Sequence, residues 1–188
     1  MNDAFRLVAI VGMPGAGKSL VADFFRKKGI PVLRFGDQTD IGLKELGLPL
    51  TEKNERTYRE SLRKELGMAA MAIKIEPRIL RAAKDHTLIV LDGLYSWEEY
   101  TFLTKKFSQL YLLCIYAPPE IRYERLAHRP VRPLTHDEAR SRDIAEIENL
   151  NKGGPIAIAD YLIVNETNNP ADLTRTLESL YSTLDLPL

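Results

Sequence analysis

The sequence alternates between short apolar segments and stretches in which apolar residues recur with helical spacing. The first apolar segment, residues 5–11, predicts a buried strand. Leu20, Val21, Phe24 and Phe25 follow with the spacing of one helix face. Because this order repeats along the chain, the pattern predicts an α/β fold with a mostly parallel sheet and helices on both faces.

Five strands are expected in a single three-layer domain that spans residues 1–188. Their predicted ranges are 5–11, 31–35, 87–92, 109–116 and 161–164. The last helix is expected to begin at Asn169 and Pro170, an N-cap residue followed by proline at the first helical position. Its core-facing residues are predicted to be Leu173, Leu177, Leu180 and Leu184.

A long insertion separates the second and third predicted strands. Residues 38–84 contain no convincing strand and predict two helices instead. Thr51 is expected to be the N-cap of the first helix. Pro77 lies inside the second helix, where it is expected to cause a break or a kink. Two helices are more than a crossover between parallel strands needs, which indicates a functional role for this insertion.

The candidate chemistry is centred on residues 12–19, Gly-Met-Pro-Gly-Ala-Gly-Lys-Ser, between the first strand and the first helix. This is the P-loop pattern, in which backbone N–H groups and a helix N-terminus bind nucleotide phosphates. Lys18 is expected to reach the β- and γ-phosphates, and the Ser19 hydroxyl to ligate Mg²⁺. The predicted cofactors are therefore ATP and Mg²⁺. The nucleotide contacts are assigned to Gly12, Pro14, Gly15, Ala16, Gly17, Lys18, Ser19 and Leu20.

Carboxylates follow the second and third strands, at the edge of the sheet where open α/β folds bind ligands. Asp92 comes after four apolar residues, the Walker-B pattern, and is expected to orient Mg²⁺ and to face an acceptor. Residues 36–40 are predicted to form a loop that places Asp37 and Asp40 near the same site. Asp37 is expected to orient or deprotonate the acceptor. Alternatively, either residue caps the following helix.

Three arginines, Arg56, Arg59 and Arg63, share one face of the first helix in the insertion. They are suited to bidentate contacts with an acceptor phosphate, and Arg59 and Arg63 are the better candidates. The alternative is a solvated helix, because glutamates stand four residues from several of these basic side chains.

Residues 125–140 are predicted to form a short, arginine-rich lid. Arginine is used there without lysine, and no lysine occurs between Phe107 and Asn151. Such a lid would close over the transferring phosphate, and Arg129 and Arg132 are the candidates to stabilise its charge. The alternative is a helical hairpin held by ion pairs with neighbouring glutamates and aspartates.

The helix after the lid has a clear start. Thr135 and Glu138 form a predicted capping box. Ile144, Ile147 and Leu150 are expected to face the core.

Composition limits the classes of protein that remain. Lys+Arg and Asp+Glu number 26 each, so the zero net charge argues against a general nucleic-acid or membrane-surface binder. Cys114 is the only cysteine and is expected to be buried, which fits a reducing compartment. The sequence shows no signal-peptide pattern and no apolar run long enough to span a membrane, so a cytoplasmic location is expected.

The P-loop, the arginine-bearing segment and residues 159–165, Ala-Asp-Tyr-Leu-Ile-Val-Asn, occur in the order seen in dephospho-CoA kinases. Through residues 92–94, 132–135 and 150–155, the chain also resembles adenylate-kinase-like and dephospho-CoA-kinase-like P-loop proteins. The resemblance spans essentially the whole chain. It implies a P-loop kinase fold in which the insertion holds an acceptor.

The resemblance also implies that Asn165 lies against the adenine of the donor, and that lid arginines such as Arg129 contact the donor phosphates. Dephospho-CoA kinases usually carry Asp-Ala-Asp after the second strand, whereas this chain has Arg-Phe-Gly-Asp at residues 34–37. Only Asp37 can be matched to that block.

The predicted function is ATP- and Mg²⁺-dependent phosphoryl transfer to a small nucleotide-like acceptor, of the nucleoside monophosphate or dephospho-CoA type. A nucleotide-dependent switch with a protein partner and a simple ATPase would use the same P-loop and metal site. The switch does not explain the helical insertion or the arginine-rich lid, and a simple ATPase would turn over with water alone.

Overall fold

A computed structural model describes residues 5–167 and 169–183. Its sheet consists of β1 (Arg6–Val11), β2 (Val32–Arg34), β3 (Leu88–Asp92), β4 (Leu110–Tyr116) and β5 (Tyr161–Val164). The strand order is β2-β3-β1-β4-β5, and every neighbouring pair is parallel. The predicted α/β fold with a parallel sheet is therefore confirmed.

Helices cover both faces of the sheet. They are α1 (Lys18–Lys27), α2 (Asp37–Glu45), α3 (Glu52–Leu66), α4 (Ala70–Ala82), α5 (Trp97–Lys106), α6 (Pro119–Ala127), α7 (His136–Leu150), α8 (Gly153–Ala157) and α9 (Pro170–Thr183). In β1, Leu7 packs with Ile79 of α4 and Leu103 of α5. Ile10 points to the opposite face and packs with Phe25 of α1. The result is a three-layer arrangement with an apolar core on each side of the sheet.

The start of the insertion differs from the sequence-based prediction. Residues 36–40 are not a loop, because α2 begins at Asp37. Asp37 and Asp40 both lie in its first turn, where negative charge is favourable next to the positive end of the helix dipole. The insertion therefore contains three helices, α2, α3 and α4, rather than two.

Pro77 does not break α4, which was one of the two outcomes expected for it. Ile75 and Ile79, on either side of it, are fully buried in the core. This packing outweighs the hydrogen bond that proline cannot donate. The predicted N-cap at the start of α3 is confirmed, since the Thr51 side chain accepts a hydrogen bond from the Asn54 amide at 3.3 Å.

The orientation of α7 also differs from the prediction. The capping box of Thr135 and Glu138 is present. However, Ile144 and Ile147 are 45% and 51% exposed and do not face the core. The buried face of α7 is set by Asp143, whose ion pair with α6 is described below.

The remaining core predictions are largely confirmed. Cys114, Leu173 and Leu177 are buried, and Leu180 packs partly buried beside the last two. Leu184 lies outside the described residues. Across residues 5–167 and 169–183, no helix is both long enough and apolar enough to cross a membrane.

Candidate functional site

The P-loop connects β1 to α1 and is packed tightly on its neighbours. Its glycines have positive φ angles of 138° at Gly12, 79° at Gly15 and 103° at Gly17. A Cβ atom on Gly15 would lie 2.6 Å from the Arg122 carbonyl oxygen. At Gly12 it would collide with the Ile115 carbonyl, and at Gly17 with a side chain in the loop after β5. Only glycine satisfies both the backbone conformation and these close approaches.

Lys18, Ser19 and Asp92 line one cavity of about 390 Å³ beside the P-loop. The Lys18 ammonium donates a hydrogen bond to the Met13 carbonyl at 2.9 Å. Burial, reinforced by repulsion from Lys152, lowers the pKa of Lys18 to about 7. Burial also raises the pKa of Asp92, although Lys18 opposes that shift.

Two residues of this cavity fit the predicted metal. The Ser19 hydroxyl comes from α1 and the Asp92 carboxylate from the end of β3. Both are hard oxygen ligands of the type that Mg²⁺ prefers. Mg²⁺ is usually held by one or two protein oxygens, with nucleotide phosphates and water as its other ligands, so these two groups suffice.

Arginines of α6, α7 and the segment between them also line the 390 Å³ cavity. Arg125, Arg129 and Arg142 all line it. Arg129 also donates from Nε to the carbonyl of Arg132 at 2.7 Å. Partial burial lowers the pKa of Arg129, and repulsion from Arg142 and Arg132 adds to this shift. The arginines therefore already repel one another here, which makes the cavity favourable for an anion.

Arg122 fixes α6 and α7 to the P-loop. It forms a two-point ion pair with Asp143, with N–O distances of 3.0 and 2.7 Å. It also donates to the carbonyls of Pro14 and Ala117, each at 3.1 Å. The Tyr123 hydroxyl completes the group by donating to Asp143 at 3.0 Å. No role could be assigned to this arginine from the sequence, because only the fold brings α7 and the P-loop to it.

A smaller cavity of about 230 Å³ adjoins the P-loop. Its lining residues are Gly17, Leu20, Arg125, Asn165, Thr167 and Pro170. The Asn165 amide donates to the carbonyl of Ala16 at 2.8 Å. Arg125 donates to the carbonyls of Asn165 and Thr167 at 3.1 and 2.6 Å. Leu20, Asn165 and Arg125 thus line one cavity beside the P-loop.

A third cavity, of about 380 Å³, lies between the insertion and α7. It is lined by five arginines and three carboxylates: Arg34, Arg59, Arg63, Arg132, Arg142, Asp40, Glu55 and Glu146. Glu55 accepts a hydrogen bond from Arg59 at 3.5 Å and lies 4.0 Å from Arg132. The predicted residues Arg59, Arg63 and Arg132 are therefore brought together. Arg56 instead pairs with Glu60 at 2.8 Å on the exposed side of α3.

Asp37 lies beside this third cavity, outside its described lining. Its carboxylate is 3.2 Å from Arg78 and 3.9 Å from Arg34. Asp40 lies one turn further along α2 and, unlike Asp37, is among the residues that line the cavity.

Arg142 lines both the 390 Å³ cavity and the 380 Å³ cavity. Its Nε donates to Glu146 at 2.9 Å. Sequence reasoning did not single out this arginine. The one available signal was its spacing of four residues from Glu146, which is also common on solvated helices.

This combination of a P-loop, a carboxylate at a strand end and arginine-lined cavities defines a nucleotide-binding protein of the P-loop kinase-like class. The AAA domain family matches residues 8–164. The UPF0200 protein of Pyrococcus abyssi is 37% identical over 85% of this chain and 87% of its own length. The chain therefore belongs to the UPF0200 family of AAA-domain P-loop proteins.

Solved structures show the same fold at low sequence identity. TT1252 from Thermus thermophilus superposes with a TM-score of 0.65 at 19% identity, over 96% of this chain and 98% of that one. A shikimate kinase from Bacteroides thetaiotaomicron gives a TM-score of 0.61 at 16% identity, over 96% and 99%. These similarities support the P-loop kinase-like fold without selecting a dephospho-CoA kinase or an adenylate kinase.

Replacing Arg122 by methionine should destabilise the protein by about 3–5 kcal/mol, because Asp143 would be left buried without its partner. Chemical denaturation followed by circular dichroism measures this loss. The control is Arg56→Met, which removes an exposed pair and should leave the unfolding midpoint unchanged. Equal midpoints for the two variants would show that the buried pair does not hold the fold together.

Nucleotide binding should take up a proton at Lys18. Burial lowers the pKa of Lys18 to about 7, and adjacent phosphates would raise it by favouring the ammonium. Affinity for MgADP should therefore fall as pH rises above 7, by up to about tenfold per pH unit. Calorimetry at pH 8.5 in buffers of different ionisation enthalpy measures the uptake. Uptake of the same size in Lys18→Met would assign the proton to another group.

Proposed function

We propose that this protein is an ATP- and Mg²⁺-dependent kinase that phosphorylates a small nucleotide-like acceptor, such as a nucleoside monophosphate or dephospho-CoA. In this proposal the P-loop and Lys18 hold the β- and γ-phosphates, and Ser19 with Asp92 positions Mg²⁺. The adenine occupies the 230 Å³ cavity next to Asn165. The acceptor occupies the 380 Å³ cavity.

The observation that carries this proposal is that two separate cavities share one arginine. The 390 Å³ cavity has phosphate-binding chemistry, whereas the 380 Å³ cavity has a polar, mainly basic lining supplied by the insertion and by α7. Arg142 lines both. A switch or an ATPase needs the first cavity only, whereas a kinase needs a second cavity in reach of the γ-phosphate.

The reaction would be a direct displacement at the γ-phosphorus. The bond to the bridging oxygen breaks, ADP keeps its electron pair, and an acceptor oxygen forms the new bond. If that oxygen is a hydroxyl, its proton passes to a carboxylate. Asp37 is the group proposed from the sequence, and Asp40 is the alternative because it lines the acceptor cavity. Arg129 and Arg132 would stabilise charge on the transferring group.

The test is transfer of labelled γ-phosphate from ATP, with Mg²⁺, to a panel of AMP, CMP, UMP, GMP, dephospho-CoA and free nucleosides. We expect one labelled product, formed only when both ATP and that acceptor are present. Release of inorganic phosphate to the same extent without any acceptor would identify an ATPase. Tight ATP binding with no turnover would support the nucleotide-dependent switch.

Arg132→Ala should lower kcat for the labelled transfer by about 10³-fold or more if this side chain acts as an arginine finger. Arg132 is 60% exposed and lines the acceptor cavity from the segment between α6 and α7. The matched control is Arg140→Ala, an exposed arginine of α7. A loss below about tenfold at saturating substrates would move the role to Arg129.

A further inference from the structure

Lys152 is a buried lysine for which the reaction outlined above has no role. It follows α7, where Asn151 adopts φ of 51° and reverses the chain. The Asn151 side chain is anchored to Glu98 of α5 at 2.8 Å. This turn directs the Lys152 side chain into the protein, where only 3% of it remains exposed.

The Lys152 ammonium has two partners. It forms an ion pair with Glu146 and lies 5.0 Å from the centre of the Tyr95 ring. Both partners line the acceptor cavity. The backbone that carries this ring is held in place, because the Tyr95 amide donates to the capping carboxylate of Glu99 at 2.8 Å. Lys152 therefore lies directly behind two walls of the acceptor cavity.

Glu146 lies between the buried Lys152 ammonium and the more exposed Arg142 guanidinium. Its side chain is 13% exposed and contacts both Lys152 and the Nε atom of Arg142. The Arg142 side chain is 44% exposed and would be free to take many conformations without this contact. Breaking the ion pair between Lys152 and Glu146 would produce an unpaired buried charge. Glu146 is therefore fixed in a position from which it holds Arg142.

The group is also coupled to the P-loop. Arg142 lines the same cavity as Lys18 and Asp92, and the nearby Lys152 ammonium adds to the lowering of the Lys18 pKa by burial. The cluster therefore lies close to the position where a γ-phosphate would leave the donor.

We propose that Lys152 is a positioning residue for phosphoryl transfer, because through Glu146 it fixes the Arg142 guanidinium between the donor and acceptor cavities. This inference rests on the proposed function. Arg142 would contact the planar, metaphosphate-like group in flight, and a planar guanidinium suits its equatorial oxygens. Lys152 itself touches neither substrate.

The experiment compares binding of MgADP alone with binding of MgADP plus aluminium fluoride, a planar mimic of the transferring group that needs no acceptor. Wild-type protein should bind the second combination more tightly, because transition-state mimics gain the contacts made only during transfer. Lys152→Met should reduce this gain by about tenfold or more. At pH 6, where Lys18 is already mostly protonated, affinity for MgADP alone should change by less than about twofold. Lys152→Arg, which keeps the charge, should restore most of the gain.

Two comparisons separate positioning from a structural role. Lys28→Met is the matched control: Lys28 also pairs with a glutamate, at 2.9 Å, and lies 5.0 Å from the Tyr181 ring, but outside the described lining of both cavities. It should leave the gain unchanged. Arg142→Ala should lose the gain, and adding Lys152→Met to that variant should have no further effect.

Several results would overturn the inference. Equal loss of affinity for MgADP with and without aluminium fluoride would show that Lys152 is structural, and additive losses in the double variant would show that it does not act through Arg142. If Lys152→Met does not fold, Glu146→Gln must show the same selective loss. If Lys152→Met and Glu146→Gln both show the wild-type gain, the positioning role is rejected, but the proposed phosphoryl transfer is not. No gain in the wild-type protein would count against the proposed phosphoryl transfer itself.

Discussion

The ion pair between Arg122 and Asp143 is the contact on which the arrangement of the site depends. One guanidinium joins α6, α7 and the P-loop, because it contacts Asp143 and the carbonyl of Pro14 together. A charge this deeply buried is stable only when it has hydrogen-bond partners, and four hydrogen bonds from this guanidinium provide them. With Asp143 directed inward, the next residue back, Arg142, points about 100° away around the helix, toward the cavities.

Much of the fold could be predicted from the sequence because it is determined locally. Apolar runs, the P-loop spacing and the caps at Thr51 and Thr135 each depend on a few adjacent residues. The orientation of α7 could not be predicted in this way. Its isoleucines at 144 and 147 suggested a buried face, yet a buried carboxylate decides which side faces inward. Hydrophobic periodicity does not contain information about an ion pair with a residue on another helix.

The site likewise combines features determined by adjacent residues with features that depend on contacts between distant elements. Lys18, Ser19 and Asp92 could be placed together because P-loop and strand-end positions converge in any parallel sheet of this kind. Arg59, Arg63 and Arg132 could be named, but their common cavity required the packing of the insertion against α7. Lys152 could not be found at all, since a single lysine in a turn has no periodicity and its burial depends on the backbone reversal at Asn151.

The strand order has a consequence for synthesis of the chain on the ribosome. The apolar strand β1 is made first, but its neighbours in the sheet are β3 and β4, so that Arg6 pairs opposite Leu88 and Val11 opposite Cys114. At translation rates of about 5–20 residues per second, β1 emerges roughly 5–20 seconds before both partners exist. During that interval the nascent chain carries an unpaired apolar strand of six residues. Such an exposed strand edge is prone to aggregation until β3 and β4 have been made.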